Sequence, residues 1–195
     1  MLTDERGMNA VKTLDPVTET VRRAPGGLRL RPYAGHSDIP VITDIINREL
    51  EHDGVPFRES EAGIRSWYSN PNDKFDAARD VTIAEIDGLP VAFAQRSWVD
   101  TSLEYFREYR NDGGVLPEFR RRGIGSALLA HNIERARALA QTHDTDRPGI
   151  LGSWTADRML DAQAILRNAG FEPVRWFFEM TRDLSDPIPD VPMPD

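Results

Sequence analysis

Cysteine is absent from the 195 residues of this chain. Disulfide frameworks, thiolate zinc sites and cysteine nucleophiles are therefore excluded. Long apolar runs are also missing, so no stretch predicts a membrane-spanning helix. The charged segment over residues 1–23 lacks the apolar core of a signal peptide. Together these absences favour a cytoplasmic protein without membrane association.

Basic residues are fewer than acidic ones, 24 against 32, and the net charge is -8. General nucleic-acid binders are usually basic, so this class is disfavoured, although a local basic patch for an anionic ligand stays compatible with the composition. The four histidines show no metal-ligand spacing, which predicts that no metal is bound. The Gly-x-Ser-x-Gly elbow of serine hydrolases is missing as well.

Proline and glycine divide the chain into three parts. Residues 1–26 have weak periodicity and end at Pro25-Gly26-Gly27, which predicts a flexible N-terminal extension. Residues 185–195 repeat proline in Pro-Ile-Pro-Asp-Val-Pro-Met-Pro, a spacing typical of a tail or linker. The segment between them, residues 27–184, is predicted to be one folded domain.

Periodicity within this domain predicts a mixed α/β fold in which helices flank a central sheet. Alternation and turn chemistry predict strands, among them a hairpin closed by Asp87-Gly88, and 3.6-residue spacing predicts helices. The glycine pair Gly113-Gly114 indicates a bulge or a close approach of another backbone. The expected order is a strand at 28–31, helices from Ser37 to Leu50 and at 59–68, strands at 81–86, 90–99 and 105–116, a long helix from Gly123, a strand at 150–154, a helix at 157–169 and a strand at 174–180.

One loop carries most of the chemical information. A strand ending in Val115-Leu116-Pro117 runs into Arg120-Arg121-Arg122-Gly123-Ile124-Gly125-Ser126, which opens the long helix. The N–H groups at a helix start have no intrahelical partners and the dipole favours negative charge there. Glycines let a phosphate approach the backbone, and arginines add charged donors. The segment therefore predicts a site for a di-anion such as a pyrophosphate.

Two common phosphate-binding patterns do not fit this loop. A nucleotide P-loop needs a lysine followed by Ser or Thr after its last glycine, whereas Ser126-Ala127 stands here. A dinucleotide fingerprint needs a third glycine where the chain has Leu128. A phosphate ligand of another kind is expected.

The segment resembles the [Q/R]-x-x-G-x-[G/A] signature of the GNAT superfamily of N-acetyltransferases, met here by Arg120, Gly123 and Gly125. The family's Val-x-Pro lead-in is similar to Val115-Leu116-Pro117. Its Gly-Phe pair near the C-terminus is similar to Gly170-Phe171. The order of elements over about residues 28–182 is also similar, so the resemblance extends beyond the loop.

The resemblance implies an α+β GNAT fold whose mixed, mostly antiparallel sheet has splayed fourth and fifth strands. It implies acetyl-CoA as co-substrate, with the pantetheine arm along Val115 and Leu116. The pyrophosphate would lie on Arg120, Arg121, Arg122, Gly123, Ile124, Gly125 and Ser126. The activity it implies is transfer of an acetyl group to a small amine, which attacks the thioester directly.

The C-terminal segment adds a narrower resemblance. The aromatic run from Trp176 to Phe178, followed by the proline-rich strip, is similar to the first half of tandem GNAT proteins of the mycothiol synthase kind. This resemblance implies a homodimer mate or a second GNAT domain as partner. Consecutive residues of a strand face opposite sides, so one aromatic set is expected in the core and the other toward a partner.

Two positions depart from the family's catalytic pattern. Tyr109 stands where many members have a glutamate general base, and Leu166 stands where many have a tyrosine general acid. Glu104 and Glu108 on the same strand are the reserve candidates for the base, and Tyr109 completes the candidate catalytic set. The alternative prediction is a weak or inactive acyl-CoA-binding half-domain that works with a second GNAT module.

Overall fold

The computed structural model describes residues 5–13, 26–102, 105–180, 183 and 185. Its strands and helices, labelled in chain order, are β1 (Glu5–Thr13), β2 (Leu28–Pro32), α1 (Ile39–His52), α2 (Glu61–Tyr68), α3 (Ala77–Asp80), β3 (Val81–Ile86), β4 (Leu89–Asp100), β5 (Arg107–Val115), α4 (Ile124–Thr142), β6 (Gly149–Ala156), α5 (Leu160–Asn168) and β7 (Glu172–Glu179). Every element expected between residues 27 and 180 is present, and the short α3 is additional.

The seven strands form one mixed sheet in the order β2-β3-β4-β5-β6-β1-β7. The β5–β6 pair is parallel and the other described pairs are antiparallel, which confirms the mostly antiparallel sheet. Strand β5 pairs with β6 only from Arg107 to Arg110. Beyond that point the two strands, the fourth and fifth counted from Leu28, no longer pair. The predicted splay is therefore present.

Strand β1 differs from the flexible extension that we expected over residues 1–26. Its backbone pairs with β6 on one side and with β7 on the other. Pairing on both sides satisfies the backbone of a strand with little apolar periodicity, which explains why the pattern did not reveal it. The remaining residues of the extension, and the proline-rich residues 186–195, lie outside the described residues.

Two helical layers enclose the centre of the sheet. On one face α1 and α2 bury a cluster that includes Ile42, Ile45 and Phe93. On the other face α4 packs over β3 and β4, and together with α5 it covers Trp98 and Tyr109 on β4 and β5. The side chains of β5 therefore alternate between the two layers, which decides what each of them can do.

Two turn predictions are confirmed by backbone geometry. Asp87 and Gly88 both have positive φ, 52° and 80°, as a two-residue hairpin turn requires. A Cβ on Gly113 would lie 2.5 Å from the carbonyl oxygen of Phe93, so β4 approaches this position closely. The register between β4 and β5 shows no shift, so the glycine pair marks close approach and not a bulge.

The aromatic run at the end of the chain does not follow the expected division. Trp176, Phe177 and Phe178 are all exposed, with 49%, 40% and 58% of their surface accessible. The expectation that one set packs in the core is therefore wrong. The reason is that β7 is the last strand of the sheet and neither helical layer reaches it in the described residues.

Candidate functional site: a strand–loop–helix junction beside a splayed sheet

The loop between β5 and α4 is shaped by two residues in left-handed conformation. A short 3₁₀ turn over Pro117–Phe119 ends at Arg120. Arg121 and Gly123 then adopt φ values of 62° and 83°, and α4 begins at Ile124. A non-glycine residue with positive φ is uncommon and marks a backbone fixed by its surroundings.

This geometry leaves a row of free backbone donors. Within the described part of the chain, the N–H groups of residues 121–126 have no hydrogen-bond acceptor, and pairing resumes where Ala127 donates to Gly123. A helix start alone leaves about three or four such groups, and the loop extends the row. Adjacent N–H groups at the positive end of a helix dipole form a cradle for a phosphate-type anion.

The three arginines of the loop are used in different ways. Arg120 turns inward: its two Nη atoms lie 2.7 and 2.9 Å from the Asp53 carboxylate, and Nη2 lies 3.2 Å from Glu49. The guanidinium is thus a tie between the loop and α1. Its predicted contact with a bound ligand stays a prediction, because its donors already face these two acidic side chains.

Arg121 and Arg122 point outward. Arg121 is largely exposed and reaches Asp161 at the start of α5, with 2.5 Å between Nη2 and Oδ1. Arg122 donates to the Glu118 carbonyl at 3.0 Å and lies over the Phe119 ring. Exposed ion pairs of this kind are weak, so either guanidinium can swing onto a bound phosphate at little cost.

The splay opens next to this loop. Arg107 donates its N–H to Pro148, so alternate residues of β5 direct their N–H and C=O groups toward β6. Ser153 Oγ still bridges to the Asn111 carbonyl at 2.8 Å. Beyond that bridge the backbone of Gly113 faces β6 without a partner in the described residues.

The backbone of Val115 and Leu116, where the resemblance places the pantetheine arm, is already occupied in part. Leu116 donates its N–H to Val91 on the β4 side. The N–H of Val115 faces Glu49, and its carbonyl lies 3.5 Å from Arg120 Nε. The free backbone N–H and C=O groups that a ligand in the splay can pair with are therefore those of Gly113. The assignment of Val115 and Leu116 to the pantetheine arm stays a prediction.

Glu49 was not anticipated from the sequence, and it is the most perturbed carboxyl beside the loop. Burial raises its pKa to about 7, although Arg120 opposes the shift. A Cβ on residue 114 of β5 would lie 2.5 Å from the Oε2 of Glu49. The glycine at this position therefore leaves room for the carboxyl group. The sequence signal was weak, because Glu49 follows the apolar stripe of α1 like any surface residue.

A raised carboxyl pKa in the folded state makes stability depend on pH. The proton on Glu49 stabilises the fold below the ordinary value of 4.5, and this contribution is lost as the pH rises through 7. We expect the unfolding free energy of the native protein to fall by about 3 kcal/mol relative to Glu49→Gln between about pH 4.5 and 7.5, as measured by urea unfolding.

A matched control for this experiment lies on the same helix. Glu51 is solvent-exposed, so Glu51→Gln should keep the pH dependence of the native protein. Parallel stability curves for the native protein and Glu49→Gln would contradict the assignment.

The candidate catalytic residues lie in unequal surroundings. Tyr109 is 2% exposed, packs under α4 and α5, and its hydroxyl lies 2.8 Å from His143 Nδ1. Burial raises its pKa. Leu166 belongs to the same apolar cluster, so neither family position presents a reactive group toward the α1 face.

Glu108 faces the opposite layer and is 3% exposed. Arg110 Nε donates to its Oε2 at 3.1 Å, and its Oε1 packs against Gly152 without a hydrogen-bond partner in the described residues. Glu104 lies outside the described residues. The structure therefore places Tyr109 and Glu108 on opposite faces of β5, and the catalytic roles of all three residues stay predictions.

Asp112 is, after Glu49, the second carboxyl group that the sequence reasoning missed. It lies on the α1–α2 face of β5, two residues beyond Arg110 and at the start of the splay. Burial raises its pKa to about 6, and the charge of Glu108 adds to the shift. Opposite it on β4, Gln95 accepts a hydrogen bond of 2.6 Å from Tyr68. Glu108, Arg110 and Asp112 are charged residues at alternate positions of β5, and this alternation was the sequence signal that could have revealed Asp112.

Two exposed aromatic rings lie across the splay from Asp112. Gly152 pairs with Arg110, so Trp154 stands in the register position that corresponds to Asp112 and on the same face. The Trp154 and Phe177 rings are 4.4 Å apart, and each has 40% of its surface accessible. This face therefore combines a perturbed carboxyl with an open aromatic surface.

The described residues contain neither a membrane-spanning helix nor a clustered metal site. None of their helices combines the length and apolarity needed to cross a bilayer. No group of three or more acidic or histidine side chains is arranged there as a metal site.

A phosphate cradle at a helix start, placed at the mouth of a splayed pair of parallel strands, is the architecture of an acyl-CoA-binding domain. Comparison with known proteins agrees. Residues 77–173 match the family model described as "Acetyltransferase (GNAT) domain". The chain therefore carries a GNAT acetyltransferase domain.

Individual relatives are similar over part of the chain. It is 36% identical over 81 residues to a mycothiol acetyltransferase of Acidothermus cellulolyticus, a match that covers 42% of this chain and 21% of that protein. A GCN5-related N-acetyltransferase structure from Sphaerobacter thermophilus superposes with a TM-score of 0.61 at 15% identity, over 91% of this chain and 51% of that one. The chain thus spans about half or less of these relatives' lengths.

A shorter solved structure matches the same fold. The predicted acetyltransferase with acetyl-CoA from Clostridium acetobutylicum superposes with a TM-score of 0.59 at 17% identity, over 79% of this chain and 96% of that one. At such identities the likeness shows the fold alone.

Proposed function

We propose that this chain is an acetyl-CoA-dependent N-acetyltransferase that acts on a small amine. The observation that carries the proposal is the row of free N–H groups over residues 121–126 at the mouth of the splay. A solved neighbour of the same fold holds acetyl-CoA by its description, which supports the same ligand here.

The ligand would run from the loop along β5. The pyrophosphate accepts hydrogen bonds from residues 121–126, with Arg121 and Arg122 as mobile counter-charges. The pantetheine arm then follows the strand past Val115, and one of its amide N–H groups donates to the free carbonyl of Gly113. A strand advances about 3.3 Å per residue, so Asp112 lies about 10 Å along β5 from Val115. In this proposal the thioester would lie near Asp112.

Asp112 is the general base in this proposal. An amine in water is mostly protonated, so it loses one proton to solvent before it attacks the thioester carbon, and its nitrogen loses a second proton as the amide forms. Asp112, with a pKa near 6, is ionised at neutral pH and accepts that proton. The C–N bond forms, the C–S bond breaks, and the CoA thiolate leaves and takes up a proton from solvent. The N–H of Gly113 points into the splay and can stabilise the oxyanion.

The acceptor face favours a cationic amine. Asp112 and Glu108 supply negative charge, and the exposed Trp154 and Phe177 rings offer π faces to an ammonium group. The net charge of -8 adds a general attraction for cations.

The proposal can be tested by measuring the free thiol of released CoA. The protein itself gives no thiol signal, because the chain contains no cysteine. We expect acetyl-CoA to bind in a calorimetric titration. We also expect a thiol reagent to detect CoA that is released only when an amine is added, with diamines and aromatic amines giving the largest signals. Absence of binding at millimolar acetyl-CoA would overturn the proposal.

A second candidate function is an acyl-CoA-binding half-domain that works with a second GNAT module. The specific observation in its favour is the edge strand β7, whose aromatic residues Trp176 and Phe178 are exposed on the face opposite Phe177. The chain also matches about half of the Sphaerobacter structure. Acetyl-CoA binding without amine-dependent thiol release across the amine panel would favour this candidate.

A further inference from the structure

A cavity separate from the proposed acyl-CoA site lies where α3, α4 and the edge strand β2 meet. Its volume is about 180 Å³, and its polar lining comes from Arg31, Arg79, Thr82, His131 and Arg135. The helix α4 rises about 1.5 Å per residue, so Arg135 is about 16 Å from the start of α4 at Ile124. The loop that would hold the pyrophosphate is therefore not part of this cavity.

Arg135 is the unusual member of this lining. It is half-buried, and no carboxylate of the described residues lies within ion-pair distance of its guanidinium. Its Nη1 donates to Thr82 Oγ1 at 3.0 Å, and its Nη2 donates to the Arg79 carbonyl. Burial lowers its pKa, and the neighbouring Arg79 adds to the shift. A buried cation without a counter-ion is energetically unfavourable.

The nearest buried carboxylate is already shared. Asp80, which is 1% exposed, lies 2.7 Å from Arg79 and 3.1 Å from Arg96. Burial lowers the pKa of Arg96, and its Nε has no hydrogen-bond partner in the described residues. Arg79 and Arg96 thus share one buried carboxylate, Asp73 and Asp76 also act on Arg79, and Arg135 beside the cavity has no ion pair in the described residues.

Arg31 differs from these three, because it is balanced by Asp38 and Glu85 at 2.7 and 2.6 Å. His131 completes the polar wall, with Nε2 3.5 Å from Thr82 Oγ1. The remaining wall is apolar, formed by Leu30, Pro32 and Val81 among others.

We propose that this cavity binds a small oxyanion, a phosphate or carboxylate group, between Arg135, Arg79 and His131. The Thr82 hydroxyl supplies a further hydrogen bond. Fork-shaped guanidinium donors suit both kinds of anion, and the volume admits a group of this size with a short apolar body. The bound anion would replace the counter-ion that Arg135 lacks, and it would tie α3 to α4.

The histidine of the cavity provides a site-specific reporter. The chain has four histidines, so the His131 ring signal can be assigned by NMR. Burial lowers the pKa of His131, Arg135 and Arg96 add to this effect, and Glu134 opposes it. In protein saturated with acetyl-CoA, added phosphate should move the His131 signal in a saturable way and raise its titration midpoint.

Variants test whether anion binding in this cavity causes the shift of the His131 signal. Arg135→Gln and the more exposed Arg79→Gln should each weaken phosphate binding about tenfold, as loss of one charged hydrogen bond predicts. Arg48→Gln removes a charge from an exposed ion pair on α1, away from the cavity, and should leave the affinity unchanged.

Parallel titrations with inorganic phosphate and with malonate distinguish the two sources of the oxyanion, and saturation by either one supports the site. An unmoved His131 signal at tens of millimolar of both anions would overturn the proposal. A shift that survives both Arg135→Gln and Arg79→Gln would overturn it equally. In those cases Arg135 serves only to hold the end of α3. Because acetyl-CoA is bound throughout, failure here leaves the proposed acetyltransferase function untouched.

Discussion

Replacement of Ser126 by glutamate is expected to weaken acetyl-CoA binding about 100-fold while the fold is preserved. Ser126 is the third residue of α4, and side chains in a helix tilt toward its N-terminus. The added carboxylate therefore lies among the free N–H groups of residues 121–126, where the pyrophosphate would lie. It competes with the ligand for these donors and repels its charge. Calorimetric titration with acetyl-CoA measures the effect.

The same substitution is favourable for the helix itself, which makes the result easy to interpret. A carboxylate in the first turn complements the helix dipole, so the thermal midpoint of Ser126→Glu should equal or exceed that of the native protein. Ser126→Gln is the matched control, since it adds the same bulk without charge and should retain most of the affinity. Equal weakening by both variants would mean that bulk, and not charge, excludes the ligand.

The sequence predicted those parts of the fold that local chemistry determines. Asp87-Gly88 favours one turn type, and the apolar stripe of α1 has the helical period, so these elements lie where expected. Strand β1 could not be predicted in this way. Its place depends on two neighbours, β6 and β7, that are about 140 residues or more distant in the chain. Nothing in residues 5–13 alone encodes that pairing.

The same distinction between local and distant contacts applies to the candidate site. The phosphate cradle was predictable because a helix start and its glycines are adjacent in sequence. The surroundings of the carboxyls were not predictable, because burial depends on which layer covers each face of β5. Tyr109 and Glu108 are neighbours in sequence, yet they face opposite layers. Arg120 matched the motif, but its partners are Glu49 on α1 and Asp53 just after that helix, about 70 residues earlier.

The substitution Asp112→Asn is expected to reduce kcat for amine acetylation by about 100-fold or more, which is the usual contribution of a positioned general base. Asparagine has nearly the same shape but cannot accept the amine proton. The KM for acetyl-CoA should change little, because Asp112 faces the α1–α2 layer and not the phosphate cradle. In the native protein kcat/KM should fall as the pH drops through about 6, where Asp112 becomes protonated. That acidic limb should disappear in the variant.

Parallel variants separate Asp112 from Tyr109 and Glu108, the catalytic candidates that the sequence predicted. Tyr109→Phe removes a hydroxyl that lies beside His143 under α4 and α5, so it should change stability more than kcat. Glu108→Gln removes a charge that Arg110 already neutralises in part, and its effect on kcat should be within about tenfold. If Glu108→Gln abolished the acidic limb and Asp112→Asn retained it, Glu108 would be the base. The aromatic face across the splay would then have to serve an acceptor bound closer to β6, since Glu108 lies against Gly152 on that strand.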